Sequence, residues 1–212
     1  MMNPMFRSVI ALAVIALLLP VAANSAAPAG AAATQKSGAK IPGAPKPEQK
    51  GQVPATLLAE APKSTWLRDG QSKHVVYVFF DPNCPYCHKL YEALRDAVAL
   101  GEVELRWIPV GISRESSIGK AAAILEARNP IEAFHYNEHH FTFDGGKFGG
   151  IEEETLPREE TLRKLAANLA LLKTAGALAV PAMLFRTRDG VARYVPGAPP
   201  TATLEEIVRN LE

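Results

Sequence analysis

Cysteine is scarce in this sequence, and neither sign of charge is in excess. The 212 residues include two cysteines, Cys84 and Cys87, which lie within one four-residue stretch. The chain therefore cannot be one of the small secreted scaffolds that several disulfide bonds hold together. Lysine and arginine number 23 against 22 aspartate and glutamate, a net charge of +1. Because this balance gives no general attraction to a polyanion, we expect no nucleic-acid partner.

Long apolar runs are also rare, and the main one lies near the N-terminus. Met1–Arg7 carries one positive charge, and Ser8–Leu19 is almost continuously apolar, about half the length that spans a bilayer. This pattern predicts a signal peptide over residues 1–23, with cleavage after Ala23 or, as the alternative, after Ser25. A retained N-terminal anchor is the other interpretation. We expect an exported protein in an oxidising compartment, where a disulfide persists.

Residues 24–52 have little with which to form a core. Ala, Pro, Gly, Lys and Gln dominate this segment, and it has no aromatic residue. Such a composition cannot bury enough apolar surface to offset the entropy of ordering, so it predicts a flexible tether. As an alternative, four lysines could hold the tether to an anionic surface: Lys36, Lys40, Lys46 and Lys50.

Residues 53–212 are predicted to form one globular domain, in a sequence that is 48% apolar overall. The β-branched and aromatic run His74–Phe80 predicts a buried strand. Apolar residues at helical spacing predict a helix over Pro85–Leu100. Polar and apolar residues alternate over Glu102–Val110, which predicts a second strand. Strand, helix and strand in this order form a βαβ unit, so the predicted fold class is α/β.

A helical insertion is predicted over about residues 112–177. It is expected to contain three helices and an acidic, glycine-rich loop before the third of them: Ser113–Arg128, Ile131–Phe141, Arg158–Ala175 and the loop Asp144–Glu154. The chain then returns to strands after Gly176. The insertion thus separates the βαβ unit from the C-terminal elements.

The last part of the chain predicts a hairpin and a helix. Pro181–Arg186 and Val191–Val195 have strand composition and are separated by a tight turn that contains glycine. Thr203–Leu211 is predicted to be the final helix, with Thr201 or Thr203 as its N-cap.

Cys84 and Cys87 lie where the first predicted strand meets the first predicted helix, with Pro85 and Tyr86 between them in the sequence C-P-Y-C. Cys84 takes the N-cap, and Pro85 takes the first helical position, where its missing N–H costs nothing. The unpaired N–H groups and the helix dipole favour a thiolate there and lower the thiol pKa. We predict that Cys84 is an exposed nucleophile and that Cys87 resolves its mixed disulfides. Because a stabilised thiolate favours the reduced form, the pair becomes a better oxidant.

Three other uses of the two thiols stay open from the residues alone. They could form a structural staple, although closing so short a loop gains little chain entropy. They could bind structural zinc together with two of His135, His139 and His140. His88 completes C-x-x-C-H, the attachment pattern of c-type haem. The methionine that remains after signal removal, Met183, lies in a predicted strand, which weighs against haem ligation.

In their order along the chain, these motifs resemble the thioredoxin superfamily over about Ser64–Glu212. Three segments resemble, more specifically, the catalytic domain of the periplasmic thiol:disulfide interchange proteins DsbG and DsbC: Ser64–Gly70, Tyr77–Cys87 and Ala121–Leu125. The resemblance implies a thioredoxin fold with a helical insertion and a periplasmic thiol:disulfide oxidoreductase of the reductase or isomerase branch. It implies no metal and no cofactor other than the redox-active Cys84–Cys87 disulfide. The implied partners are client proteins with cysteines and a membrane thiol-redox protein.

The resemblance also assigns roles near Pro181. It implies that Pro181 is a cis-proline beside the active site and that Val180 offers backbone groups to an extended substrate. The family usually has Thr where this chain has Val180, so we expect a different redox potential and substrate release. DsbG and DsbC also carry an N-terminal dimerisation domain, whereas here residues 53–73 separate the tether from the first strand. We therefore expect a monomer.

Other activities on the same fold stay open. Glutaredoxins share C-P-Y-C and a Val-Pro pair, but they lack an insertion such as residues 112–177, and export argues against cytosolic glutathione chemistry. A DsbA-like disulfide donor differs in the direction of electron flow, which C-P-Y-C does not settle. A non-catalytic domain that binds client proteins is the alternative from a different class.

Overall fold

The structure is a computed structural model, and it describes residues 49–146, 148–176 and 178–212. The predicted signal peptide and the tether up to residue 48 lie outside the described residues. No helix in the described ranges has the length and apolar character needed to cross a membrane. The elements, in chain order, are β1 (Gln49–Lys50), α1 (Gln52–Glu60), β2 (Leu67–Asp69), β3 (Val75–Phe80), α2 (Pro85–Ala99), β4 (Glu104–Pro109), α3 (Ser117–Glu126), α4 (Pro130–His139), α5 (Glu159–Lys173), β5 (Ala182–Arg186), β6 (Ala192–Pro196) and α6 (Thr201–Arg209).

The strands form one mixed sheet in the order β1-β6-β5-β3-β4-β2. β3 and β4 are parallel, with Val76 opposite Leu105, so the predicted βαβ unit is confirmed. β5 and β6 form the predicted antiparallel hairpin, with Met183 opposite Val195. Helices α3, α4 and α5 lie between these two parts of the chain. The predicted α/β class with a helical insertion is therefore confirmed.

Helices cover both faces of the sheet, which explains why β3 is apolar throughout. Val78 and Phe80 belong to the core on the side of α2, α4 and α6. Tyr77 and Phe79 point to the other core, which α1 and α5 complete. Because both faces of β3 are buried, its carboxyl end is held firmly at the point where α2 begins.

The folded unit begins before residue 53, the predicted domain boundary. Gln49 lies opposite Tyr194 in an antiparallel pairing of β1 with β6, and α1 begins at Gln52. Leu57 and Ala61 are buried against the sheet. The last residues assigned to the tether thus form an edge strand and enter a helix. Backbone pairing at a sheet edge does not require apolar side chains, so composition gives no sign of it.

Two helix starts differ from the sequence predictions. α3 begins at Ser117 rather than Ser113, and the backbone N–H groups of Ile112 and Ser113 before it donate to the Asp81 carboxylate. α6 has Pro200 as its N-cap and no side-chain capping bond. The prediction that Thr201 or Thr203 caps this helix is therefore wrong, since both are already helical residues.

Candidate active site

Cys84 is the N-cap of α2, as predicted, and Pro85 is the first helical residue. β3 ends at Phe80, and a short turn leads from Asp81 to Cys84, whose N–H donates to the Asp81 carbonyl at 3.0 Å. The Cys84 carbonyl then accepts the N–H groups of Cys87 and His88 at 3.0 and 3.1 Å. These bonds fix both cysteines on the first turn of the helix.

Cys84 is more covered than a helix N-cap suggested. Its exposed fraction is 5%, and that of Cys87 is 1%. The prediction of an exposed nucleophile is wrong because the carbonyl oxygen of Val180 lies 3.5 Å from the Cys84 Sγ. Val180 is 96 residues further along the chain, so no local pattern shows this contact. Tyr86, between the cysteines, is 53% exposed and forms the open rim of the motif.

The two thiols have opposite electrostatic environments. A hydrogen bond from the Cys87 thiol lowers the pKa of Cys84, and backbone N–H groups of Cys87 and Tyr86 add to this against the effect of burial. Burial raises the pKa of Cys87 well above that of an ordinary thiol, and its interaction with Cys84 raises it further. Cys84 is therefore the group that ionises first, in the direction predicted from its place at the helix N-terminus.

This difference predicts selective alkylation of the reduced protein. With iodoacetamide near neutral pH, Cys84 is expected to react while Cys87 stays unmodified. The rate at Cys84 should rise with pH and level off below about 8.5, the ordinary thiol value, because a lowered pKa gives thiolate at lower pH. Intact-mass measurement and peptide mapping across a pH series check this. Protein unfolded in denaturant is the control, in which both thiols should react alike; preferential labelling of Cys87 in the folded protein would contradict the assignment.

Val180 and Pro181 lie beside the cysteines at the same end of the sheet. The peptide bond between them is cis. Ala182, the next residue, pairs with Phe79 of β3, and the Pro181 carbonyl accepts the Gly197 N–H at 2.7 Å. The loop is thus tied to both neighbouring strands, and this tie holds the Val180 carbonyl against Cys84.

A buried carboxylate organises the turn behind Cys84. Asp81 has no exposed surface and accepts four hydrogen bonds at 2.7 to 2.9 Å. The donors are the backbone N–H groups of Asn83, Ile112 and Ser113 and the hydroxyl of Ser117. Asp81 therefore joins the active-site turn to the start of the insertion, a role that the sequence analysis missed. Its place directly after a buried strand was the available signal.

The insertion also reaches the active-site turn through Asn137 of α4. Its side-chain nitrogen donates to the Pro82 carbonyl at 3.1 Å, and its oxygen accepts the N–H groups of Gly150 and Ile151, both at 3.1 Å. Gly149 has a φ of +70°, and a Cβ there would lie 2.5 Å from the Pro82 carbonyl oxygen. Only glycine lets the loop pack this closely. The glycine-rich sequence signalled a loop but not its position over Pro82.

The histidines of the alternative hypotheses have other contacts. His135 Nδ1 and His139 Nε2 lie 2.9 and 3.0 Å from the Tyr91 hydroxyl, and His140 Nδ1 lies 3.0 Å from the Tyr136 carbonyl. In the part of the chain that the structure describes, no three His, Cys, Asp or Glu side chains are grouped to hold a metal ion. His88, the fifth residue of the haem-type pattern, instead lies 3.2 Å from a carboxylate oxygen of Glu138.

The model of the thioredoxin-like domain family matches residues 67–212, more than half of the chain. This chain belongs to the thioredoxin-like family. The match extends from β2 to the C-terminal residue and includes the cysteine pair, the insertion and the hairpin. The resemblance drawn from C-P-Y-C and the order of the elements is therefore confirmed, and so is the thioredoxin fold.

Two curated proteins that are similar to this thioredoxin-like chain are both named DsbG. The thiol:disulfide interchange protein DsbG of Pseudomonas aeruginosa is 37% identical over 148 residues, which are 69% of this chain and 56% of that protein. DsbG of Escherichia coli is 32% identical over 150 residues, which are 70% of this chain and 58% of that protein. The chain thus matches little more than half the length of these relatives. The name of both relatives agrees with the predicted likeness to DsbG.

A solved structure shows the same fold. The periplasmic thioredoxin-like protein of Salmonella enterica serovar Typhimurium superposes with a TM-score of 0.54 at 24% sequence identity. The superposition covers 76% of this thioredoxin-like chain and 97% of the other. At this identity the likeness concerns the arrangement of the elements.

Proposed function

We propose that the protein is an exported thiol:disulfide oxidoreductase that exchanges disulfides with client proteins through Cys84. The cysteine pair is the observation that supports this proposal most strongly. Cys84 is a thiol with a lowered pKa at a helix N-terminus, and Cys87 is a buried second thiol one turn further along the helix. Such a pair forms and releases mixed disulfides, since the first thiol attacks as thiolate and the second displaces it. The name shared by the two relatives supports the same reaction.

In the reducing direction, the Cys84 thiolate attacks one sulfur of a client disulfide. A bond forms between Cys84 and that sulfur, and the other client sulfur leaves as a thiolate. Cys87 then loses its proton and attacks the Cys84 Sγ, which forms the Cys84–Cys87 disulfide and frees the remaining client thiol. Two electrons pass from the pair to the client. The reverse sequence donates a disulfide.

The loop at Val180 and Pro181 is the proposed contact for the client backbone, because it lies directly against Cys84. We propose cysteine-containing client proteins and a membrane thiol-redox protein as partners, and the periplasm as the location. The pair requires no metal or organic cofactor for exchange. The expected monomer stays a prediction.

We propose the reductase or isomerase branch, on the strength of the likeness to DsbG. The test is the redox state of Cys84 and Cys87 in living cells, measured by acid quenching, alkylation with a mass-adding reagent and a gel shift. A mostly reduced pair is expected, because this branch needs a supply of electrons. A mostly oxidised pair would assign the protein to disulfide donation, the DsbA-like alternative.

Val180→Thr is expected to raise the reduction potential by about 20 mV. A threonine hydroxyl beside Cys84 can donate to the thiolate, and one net hydrogen bond of about 1 kcal/mol to the reduced form corresponds to that shift. Equilibration with glutathione buffers measures the potential, and decay of a trapped client complex gives its lifetime. Val180→Ala, which adds no hydroxyl, is the control. An unchanged potential and lifetime in the threonine variant would mean that Val180 serves packing only.

A further inference from the structure

Tyr91 is a buried tyrosine of α2 that contacts the insertion, and the exchange reaction as described above does not use it. Its exposed fraction is 1%, and it lies one helical turn after Cys87. Its hydroxyl oxygen lies 2.9 Å from His135 Nδ1 and 3.0 Å from His139 Nε2. Both histidines belong to α4 and are four residues apart, which places them on one face of that helix. A single hydroxyl group thus contacts two imidazoles.

The number of protons in this contact decides who donates to whom. A hydroxyl group has one proton, so Tyr91 donates to one imidazole, and the other imidazole must donate its own N–H to the Tyr91 oxygen. His135 Nε2 faces the Asp69 carboxylate at 3.6 Å. We therefore assign the ring proton of neutral His135 to Nε2, which leaves Nδ1 as the acceptor. Tyr91 then donates to His135, and His139 donates to Tyr91.

This arrangement tolerates an added proton on His139 but not on His135. His139 is exposed, and its Nε2 still donates to Tyr91 when the ring is protonated. Protonated His135 has no acceptor nitrogen, so the Tyr91 O–H loses its acceptor in a buried position, which is costly. Burial raises the pKa of Tyr91 to about 12, so the hydroxyl itself keeps its proton.

The charges that face His135 come from three elements and partly cancel. Burial is the largest effect and lowers the pKa of His135, whereas the Asp69 carboxylate of β2 raises it. Arg95 of α2 and the neighbouring His139 lower the pKa, and Glu132 of α4 raises it. Arg95 also pairs with the Asp69 carboxylate. The net result is a lowered pKa, so the neutral form of His135 is favoured in the folded protein.

The helix that carries the two histidines also holds the active-site turn. Asn137 lies between them in the chain, is fully buried and donates to the Pro82 carbonyl at 3.1 Å. Its side-chain oxygen accepts the N–H groups of Gly150 and Ile151, in the loop that packs over Pro82. The contact at His135 therefore holds the helix from which Asn137 reaches the turn.

We propose that Tyr91 is a positioning residue that holds α4, and through it the active-site turn, in place, and that a proton on His135 releases this hold. The effect on exchange rests on the reaction proposed above for Cys84. As the pH falls, His135 Nδ1 takes a proton from water, and its hydrogen bond with Tyr91 breaks. The held form has the lower His135 pKa and binds the proton less well than the open form, so acid favours opening.

The first test is an NMR titration of the five histidine rings over a pH series. His135 should titrate below about 6.5, the ordinary histidine value. Tyr91→Phe removes the hydroxyl and keeps the ring. The pKa of His135 should rise in this variant, because the neutral imidazole loses the hydrogen bond that favoured it. Single His→Gln variants assign the signals.

Tyr136→Phe is the matched control for the loss of a tyrosine hydroxyl. Tyr136 is an exposed tyrosine of α4 whose ring stacks on His140 at 4.0 Å. Its removal should leave the pKa of His135 unchanged. An equal rise in both variants, or no rise in Tyr91→Phe, would overturn the proposal.

The second test measures opening by amide hydrogen exchange at Gly150 and Ile151, whose N–H groups donate to Asn137. Rates are corrected for the intrinsic pH dependence of amide exchange. For each pKa unit that the Tyr91 hydroxyl contributes, acid should increase opening tenfold more in the unsubstituted protein than in Tyr91→Phe. His135→Gln, which cannot take up the proton, should lack the acid-induced opening and serves if Tyr91→Phe does not fold.

The amide of Arg188 is the internal control, because it donates to the Asn210 carbonyl at the other end of the sheet. Its exchange should show no such increase. Equal acid-induced opening in the unsubstituted protein and in the variants would refute the hold by Tyr91. Both tests use the reduced protein without a client. Their failure would leave the exchange function intact, and failure of exchange at Cys84 would leave the hold by Tyr91 intact.

Discussion

Cells that produce the Cys87→Ser protein are expected to accumulate mixed disulfides between Cys84 and client proteins, whereas Cys84→Ser should form none. The lowered pKa of Cys84 makes it the attacking thiolate. Cys87 is 1% exposed and has a raised pKa, so it cannot start the exchange in place of Cys84. Non-reducing gels of acid-quenched cells, followed by mass spectrometry of the excised bands, provide the measurement.

The double variant, with both cysteines replaced by serine, is the control for this trapping, and reducing agent should dissolve the bands of Cys87→Ser. Mixed disulfides that form through Cys87 in the Cys84→Ser protein would contradict the assignment. Client binding that survives Cys84→Ser at full strength would favour the non-catalytic binding domain instead.

Asp81→Ala is expected to lower the free energy of unfolding by about 3 kcal/mol or more. The substitution removes the acceptor of four hydrogen bonds and leaves donors at Ile112, Ser113 and Ser117 without their partner, at about 1 kcal/mol or more for each. Urea denaturation of the reduced protein measures the loss as a lower midpoint at an unchanged slope. We also expect slower exchange, because this carboxylate fixes the turn that presents Cys84.

Asp96→Ala is the matched control, because Asp96 is an exposed aspartate on α2. Its effect on stability should stay within about 0.5 kcal/mol, as for most surface substitutions. If Asp81→Ala cost no more than Asp96→Ala, the hydrogen bonds at Asp81 would not be what joins the insertion to the active-site turn.

The elements that could be predicted from the sequence depend on neighbours along the chain. The apolar run that became β3, the proline at the first position of α2 and the glycine-containing turn between β5 and β6 are local signals. The place of Cys84 at a helix N-terminus, and the direction of its pKa, follow from the same signals. The family match agrees with the predicted thioredoxin fold.

The parts that could not be predicted depend on residues far apart in the chain. The Val180 carbonyl oxygen contacts the Cys84 Sγ although the two residues are 96 positions apart in the chain. Cys84 is therefore buried, whereas the sequence predicted an exposed thiol. The pairing of Gln49 with Tyr194 joins the start of the described chain to β6. Tyr91 of α2 lies 2.9 Å from His135 of α4, and the periodicity of a helix predicts its apolar face but not the element that packs against it. Composition and spacing contain none of these contacts.

The central claim, that Cys84 and Cys87 act as one redox pair, is tested most directly by equilibrating the purified protein with a series of glutathione redox buffers. Each sample is quenched in acid, alkylated and weighed intact. We predict two populations at every ratio, one with two alkylated thiols and one with none, which interconvert in a single two-electron transition. Stable glutathione adducts on separate cysteines, or thiols that stay reduced throughout, would contradict the claim.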